Sequence, residues 1–343
     1  MTDTGVNRSN DPNIKPEWLA APGVASPVDY ETYGTIYYPK NVPPASSLVH
    51  HEPTLEEAYP IHGHIGDPAH PVEKDRYHLY ISWACPIAHR SAITRKLLGL
   101  EDAVTLSVVD PLRDGRGWAF REVDGATLDT AGNGFAFLRE AYDATVGGTY
   151  EHRISVPVLW DKRTKTIVSN YYPVILRELA KLREFAEHPE VDLYPESLRR
   201  DIDEAERWIG EAINGGPYDA GFARTQDDYE LAEKRFFNAI ERVDGILTKS
   251  RFLFGDELTE ADINLWTSLY RWWAVYEVHF KLNRHNLLHY ANVARFVKEL
   301  YRLDAFHSTT NTAHIKWHYY NTQRPVNPNG IVPEGPSLDW LDE

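Results

Sequence analysis

The sequence is poor in sulfur and has no long apolar run. Only one cysteine, Cys85, and one methionine occur among 343 residues. A single cysteine cannot form an internal disulfide, which excludes the disulfide-stabilised secreted class. No apolar run approaches the roughly 18 residues that span a bilayer, and the first thirty residues lack the apolar core of a secretory signal. The composition therefore predicts a cytoplasmic protein without a membrane segment.

Basic residues are also scarce, since 36 Lys and Arg stand against 51 Asp and Glu and the net charge is −15. A nucleic-acid partner is not expected, because duplex binding needs a basic face that displaces counterions. Aromatic residues, in contrast, are abundant, with 10 Trp and 20 Tyr. Such chains often line pockets for flat organic ligands, although a large aromatic core would have the same composition.

The length permits two domains of ordinary size. Residues 1–70 are rich in Pro, Ser, Asn and His, which predicts an extended N-terminal arm. Residues 71–190 alternate strand-like and helical patterns, and residues 191–320 are helical in pattern. Residues 321–343 carry Pro and Gly and predict an irregular C-terminal tail.

Within the first of these domains, strand and helix patterns alternate in the order β-α-β-loop-β-β-α, which is the order of a thioredoxin fold. The strands are predicted at 76–82, 103–110, 154–161 and 166–169, and the helices at 88–98 and 172–182, with a short helix near 135–142 in the loop. In the second domain, apolar residues recur at helical spacing over 196–214, 227–249, 259–276 and 291–303.

Cys85 lies between a predicted strand and a predicted helix, and Pro86 follows it in the first helical turn, where a missing N–H costs nothing. A helix N-terminus presents unpaired N–H groups and a partial positive charge, and both favour thiolate over thiol. The thiolate is the form that attacks sulfur. Burial as a structural cysteine is the alternative, but the Cys-Pro pair at a strand-to-helix turn favours a reactive nucleophile.

The dipeptide Val156-Pro157 opens a strand after a loop. In thioredoxin folds this proline is cis and faces the active cysteine, and the residue before it can pair its backbone with a peptide-like thiol. Val156 and Pro157 are therefore predicted to bind the thiol. An edge-strand proline is the alternative, which the position downstream of Cys85 disfavours.

Three histidine pairs have metal-like spacing but lie in the predicted arm and tail, without a nearby cysteine or carboxylate that would complete a site. No metal site is expected at these pairs, which are His50/His51, His62/His64 and His314/His318.

Several longer segments resemble the xi-class glutathione transferases, which are the glutathionyl-hydroquinone reductases. The segments include RYHLYISWACPIAHR, SVPVLWDKRTKTIVSN, FLFGDELTEADINLW, VYEVHFKLN and NPNGIVPEGP. The resemblance runs from about residue 70 to residue 336. It implies the glutathione transferase fold, an α/β thioredoxin-like N-terminal domain followed by an all-α helical domain. It also implies a homodimer and a reductase that removes a thiol from a thioether-linked hydroquinone.

The resemblance also implies roles for individual residues. Cys85 would be the nucleophile, Trp118 the aromatic residue that packs on the thiol, and Val156 the backbone partner of that thiol. Tyr218 and Tyr276 would line the hydroquinone pocket, where phenol groups can hydrogen-bond an oxygen of the leaving hydroquinone. For both tyrosines the alternative is an aromatic residue that only packs the helical core.

Three positions depart from the family pattern. Ile87 follows Cys-Pro where the family has Trp, and Trp273 stands where the family has Asp. Tyr171 and Tyr172 follow Asn170 where the family has Glu-Ser, the pair that holds the γ-glutamyl end of glutathione. The cysteine chemistry is unaffected by these changes, but the identity of the thiol is not settled by the resemblance.

The Tyr171-Tyr172 pair suggests a thiol other than glutathione, with mycothiol as the leading candidate. Mycothiol carries no free α-ammonium and has sugar faces and hydroxyls that suit two phenol rings. Asn170 would contribute the helix N-terminus, whose N–H groups bind anionic or hydroxyl-rich groups. Alternatively, the tyrosines only pack the domain and glutathione binds through another anchor.

The resulting prediction is an enzyme that removes glutathione or mycothiol from thiol–hydroquinone conjugates through a mixed disulfide on Cys85. An external thiol must resolve that disulfide because the chain has no second cysteine. One alternative is a glutaredoxin-like thiol-disulfide oxidoreductase that uses the same cysteine. The other is a non-enzymatic protein that binds an aromatic ligand.

Overall fold

The computed structural model describes residues 14–35 and 54–342. Four short elements precede the first domain in these ranges: strands β1 (Leu19–Ala21) and β2 (Val24–Ala25) and helices α1 (Tyr30–Tyr33) and α2 (Leu55–Ala58). Of the predicted arm, residues 1–13 and 36–53 lie outside the described residues, and His50/His51 with them. No helix in the described ranges is both long and apolar enough to cross a membrane.

The first domain is built on one four-stranded sheet in the order β4-β3-β5-β6. Strand β3 pairs in parallel with β4 and antiparallel with β5, and β5 forms the predicted hairpin with β6. The strands are β3 (Tyr77–Ile81), β4 (Val104–Val108), β5 (Val158–Asp161) and β6 (Thr166–Ser169). Every residue of β3 is buried, because this central strand is paired on both edges and covered on its faces.

Three helices accompany the sheet: α3 (Pro86–Leu97), α4 (Arg139–Val146) and α5 (Tyr172–Ala180). The thioredoxin-like order of elements is confirmed. The short helix predicted near 135–142 begins later, at Arg139, because Glu140 folds back to accept the amides of Ala136 and Phe137 and holds them in a turn. It ends at Gly147, which adopts the left-handed conformation that glycine tolerates.

The second domain is helical, as predicted. Its α-helices up to residue 307 are α6 (Arg199–Ile209), α7 (Gly216–Gly221), α8 (Gln226–Leu247), α9 (Glu260–Arg271), α10 (Glu277–His279), α11 (Ala291–Tyr301) and α12 (Asp304–His307). Single π-helical turns extend α6 through Gly210–Asn214 and α9 through Trp272–Tyr276. Such turns rotate the following side chains relative to the helix and are frequent at functional sites.

A further helix, α13 (Thr312–Thr322), packs against the π turn of α9 and was not predicted. His314 and His318 lie on α13 and are buried, so this histidine pair belongs to the helical domain and not to the tail. No separate helix was predicted at these residues because polar and aromatic side chains are buried around it and leave no apolar stripe. The chain then ends in a short helix, α14 (Asp339–Asp342), whose Trp340 packs edge-on against Trp273.

Candidate active site

The turn that carries Cys85 connects the end of β3 to the start of α3. The amide of Cys85 donates to the carbonyl of Ser82 at 3.1 Å, and Cys85 is the last non-helical residue before Pro86. Its side chain makes no capping hydrogen bond to the helix. Cys85 thus lies at the N-terminus of α3 and is half-buried.

The structure brings Cys85 and the Val156-Pro157 dipeptide together, as predicted. The peptide bond between Val156 and Pro157 is cis, and the Sγ atom of Cys85 lies 3.7 Å from the carbonyl oxygen of Val156. Pro157 leads directly into β5, the neighbour of β3 in the sheet. The register of these two strands thus fixes the distance between the thiol and the loop.

Tyr218 and Tyr276 lie together in the helical domain, and a third tyrosine joins them. The hydroxyl of Tyr319 is 2.5 Å from that of Tyr218 and 2.9 Å from that of Tyr276. Tyr319, on α13, was missed because its helix was missed. Phe280 packs against all three rings. The result is a linked group of phenols, which we call the tyrosine cluster (Tyr218, Tyr276 and Tyr319).

Burial raises the pKa of Tyr276 and raises that of Tyr319 well above the usual range, so both phenols are protonated at neutral pH. The positive charge of Arg271 opposes this shift at both residues, and the charge of the Cys85 thiolate adds to the shift of Tyr276. Tyr276 therefore lies within electrostatic range of the thiol, and Tyr276 and Tyr319 are neutral phenols. Such donors stabilise an oxygen on which negative charge develops.

Trp118 is only 5% exposed. Its ring stacks on His318 with centroids 5.3 Å apart, and the guanidinium of Arg113 lies 3.9 Å from its centroid. The Nδ1 atom of His318 donates to the carbonyl of Pro111 at 2.7 Å, and burial lowers the pKa of this histidine to about 3. Little of the Trp118 ring is open to a cofactor, so its predicted packing on the thiol remains a prediction.

Asn170 is fully buried and is occupied by the chain's own backbone. Its side-chain oxygen accepts a hydrogen bond from the backbone N–H of Ile61, and its backbone N–H donates to the carbonyl of Ile61. The amide of Tyr171 donates to the hydroxyl of Ser169, and Pro173 in the first turn of α5 has no N–H. The start of α5 therefore offers fewer free donors than its sequence suggests.

Tyr171 and Tyr172 have different surroundings. The Tyr171 ring stacks on His62, with centroids 4.4 Å apart, whereas Tyr172 packs edge-on against Tyr59 at 5.2 Å. Burial raises the pKa of Tyr172 to about 12, an effect opposed by the nearby charge of Arg90 and increased slightly by the Cys85 thiolate. Tyr172 is thus the member of the pair nearer the reactive centre.

The described residues contain no group of three histidine, cysteine or carboxylate side chains arranged to hold a metal ion. The chemistry in this part of the chain is that of one thiol, a cis-proline loop and a tyrosine cluster. A thioredoxin-like domain that carries this thiol, joined to a helical domain that faces it, defines the glutathione transferase class.

Comparison with known proteins gives a narrower class. Residues 226–299 match the family model of the glutathione S-transferase C-terminal domain. The chain is 43% identical over 272 residues to glutathionyl-hydroquinone reductase YqjG of Escherichia coli, which covers 79% of this chain and 82% of that protein. It is 39% identical over 265 residues to glutathionyl-hydroquinone reductase PcpF of Sphingobium chlorophenolicum, covering 77% and 84%.

The solved structures agree. The glutathione-bound structure of YqjG, a glutathione transferase homologue from Escherichia coli, superposes with a TM-score of 0.78 at 41% identity and covers 82% of this chain and 94% of that one. The chain therefore belongs to the xi-class glutathione transferases, the glutathionyl-hydroquinone reductase family. It is an oxidoreductase of the glutathione transferase type, as the motifs around Cys85 predicted.

Proposed function

We propose that this enzyme reductively removes a low-molecular-weight thiol from thiol–hydroquinone conjugates. The observation that carries the proposal is the placement of one thiol, Cys85, beside the Val156 carbonyl and within electrostatic range of Tyr276 in the helical domain. The names of the relatives support the same reaction, since YqjG and PcpF are glutathionyl-hydroquinone reductases.

In the proposed reaction the Cys85 thiolate attacks the thioether sulfur and forms a sulfur–sulfur bond. The electron pair of the broken carbon–sulfur bond passes to the ring, which takes up one proton at that carbon and leaves as the free hydroquinone. The tyrosine cluster donates hydrogen bonds to a hydroquinone oxygen as charge accumulates on it. A second molecule of thiol then attacks the mixed disulfide, releases a symmetric disulfide and regenerates Cys85.

We propose mycothiol rather than glutathione as the preferred thiol. No carboxylate occurs among Asn170, Tyr171 and Tyr172, and the charged group that acts most strongly on Tyr172 is the cation Arg90. The positive charge of Arg90 repels the free ammonium group of glutathione. Mycothiol has no such ammonium group. The glutathione bound to the YqjG relative supports the alternative, as does the packing of Tyr171 on His62.

The test uses one hydroquinone prepared as its glutathione conjugate and as its mycothiol conjugate, with release of the free hydroquinone followed by chromatography. The expected result is a higher kcat/KM for the mycothiol conjugate. A higher value for the glutathione conjugate would reject mycothiol and leave the reductase proposal intact. No release from either conjugate would contradict the reductase proposal itself. The cytoplasmic location and the homodimer remain predictions, and light scattering at micromolar concentration would check the latter.

A further inference from the structure

Arg271, the last residue of α9, connects the helical domain to the turn before Cys85. Its side chain is fully buried. The Nε atom donates to the carbonyl of Ala84 at 3.0 Å, and Nη2 donates to the carbonyl of Trp83 at 2.8 Å. A third hydrogen bond, from Nη1 to the carbonyl of Thr267 at 2.9 Å, holds the guanidinium against its own helix. One planar group therefore fixes two consecutive carbonyls of the catalytic turn.

His89 on α3 completes the surroundings of this guanidinium. Burial, and then the charges of Arg271 and Arg90, hold the pKa of His89 well below its usual range. Its Nδ1 accepts a hydrogen bond from Nη1 of Arg271 at 3.3 Å, because an arginine can only donate. The imidazole proton is therefore on Nε2, which donates to the hydroxyl of Thr309 at 3.1 Å. His89 is a neutral acceptor and leaves the charge of Arg271 uncompensated.

Among the described residues, Arg271 forms no ion pair with a carboxylate, and neither does the buried Arg90. A buried charge without a partner is strongly destabilising. This chain has a net charge of −15, so acidic side chains are abundant elsewhere. Two buried guanidinium groups nevertheless lie near its single cysteine, and of these Arg90 is influenced by the charge of Glu206 without contacting it.

The groups that act electrostatically around Cys85 come from three elements. Arg90 lies on α3, Tyr172 begins α5, and Arg271 and Tyr276 lie at the end of α9. Both tyrosines are neutral at pH 7 because burial raises their pKa values. The fixed charges on these three elements are thus both positive, and the carboxylate of Glu206 on α6 partly offsets that of Arg90. The anions of the reaction are the groups that can compensate Arg271.

We propose that Arg271 is a positioning residue that orients the turn before Cys85 and stabilises the anions formed at the site. The first anion is the Cys85 thiolate. The second is the hydroquinone oxygen to which Tyr276 and Tyr319 donate hydrogen bonds. This part of the proposal rests on the proposed function. A cation held next to a thiol favours the thiolate and so lowers the pH at which the thiolate forms.

The test is alkylation of Cys85 by iodoacetamide between pH 4 and pH 10, followed by intact mass, with no thiol or hydroquinone present. This reaction does not depend on the proposed function, so the two proposals fail separately. For Arg271→Met we expect the pH midpoint of alkylation to rise by about one unit. Arg95→Met is the matched control: Arg95 donates to the carbonyls of Val104 and Glu101 at the far end of α3. We expect no shift of the midpoint in that variant.

A folded Arg271→Met protein with the wild-type midpoint would overturn the electrostatic role. If that variant does not fold, Arg271→Lys decides the positioning role in the hydroquinone assay. A lysine keeps the positive charge but lacks the planar, forked set of donors with which the guanidinium binds the carbonyls of both Trp83 and Ala84. The expected result is a lower kcat at an unchanged KM. A wild-type kcat would reject the positioning role, and a wild-type enzyme without reductase activity would instead contradict the proposed function.

Discussion

The Sγ atom of Cys85 lies 3.7 Å from the carbonyl oxygen of Val156, although the two residues are 71 positions apart in the chain. The contact joins the N-terminal end of α3 to the loop before β5, and the pairing of β3 with β5 keeps it in place. A thiol that binds along the Val156 backbone would present its sulfur to Cys85. In the proposed mechanism the loop and the cysteine therefore form one attack site.

Replacement of Cys85 by serine should abolish turnover, because serine preserves the size of the side chain but not the sulfur that forms the mixed disulfide. We expect kcat to fall by about a thousandfold or more, measured as release of free hydroquinone. Intact mass should show a thiol adduct on the wild type after one turnover without added thiol, and none on the variant. A Cys85→Ser enzyme with substantial activity would contradict the mechanism.

Removal of the Tyr319 hydroxyl should impair the chemical step more than binding. Tyr319→Phe leaves Tyr218 and Tyr276 without their shared partner and removes one phenol donor, so we expect kcat to fall about a hundredfold with a smaller change in KM. Tyr320→Phe is the matched control. Tyr320 is also buried on α13, but its hydroxyl bonds the carbonyl of Val275 outside the tyrosine cluster. Equal losses in the two variants would argue for a purely structural effect.

The double variant Tyr171→Glu/Tyr172→Ser should have a higher kcat/KM for the glutathione conjugate relative to the mycothiol conjugate than the wild type has. A carboxylate at position 171 would pair with the ammonium of glutathione, and one such charge-assisted hydrogen bond changes a specificity constant by about tenfold. The measurement is the ratio of kcat/KM for the glutathione and mycothiol conjugates. Tyr171→Phe keeps the stacking on His62 and should leave the ratio unchanged. A double variant with the wild-type ratio would assign the tyrosines to packing alone.

The buried His78 should make folding sensitive to acid. Burial lowers its pKa in the folded protein to about 3, whereas the unfolded chain takes up the proton near pH 6.5. Its contribution is therefore complete above pH 6.5 and is lost as the pH falls towards 3, by up to about 1.4 kcal/mol per pH unit.

The measurement is the free energy of unfolding by urea between pH 7.5 and pH 4.5. His78→Gln should lose less stability than the wild type over this range, because glutamine does not titrate. Thr105 and Ser107, which bond the two ring nitrogens of His78, remain in place in that variant. His188→Gln, at an exposed position, should follow the wild-type curve. Parallel curves for the wild type and His78→Gln would contradict the prediction.

Local sequence was sufficient to place Cys85 at a strand-to-helix turn and to predict the elements that hold it. The turn at Cys85, the hairpin between β5 and β6 and the long helices of the second domain depend on residues close together in the chain. Alternation, helical periodicity and the positions of Pro86 and Pro157 record such local preferences directly. The family motifs added Tyr218 and Tyr276, which lie in segments with a recognisable pattern.

Tertiary structure alone decided which groups share the site. Tyr319 joins the tyrosine cluster because α13 packs against the π turn of α9, and the burial of His318 and Tyr319 on that helix follows no period. Arg271 faces the carbonyls of Trp83 and Ala84 only after the two domains dock. Side-chain contacts across such distances depend on the packing of whole elements, and a local pattern of residues carries no record of them.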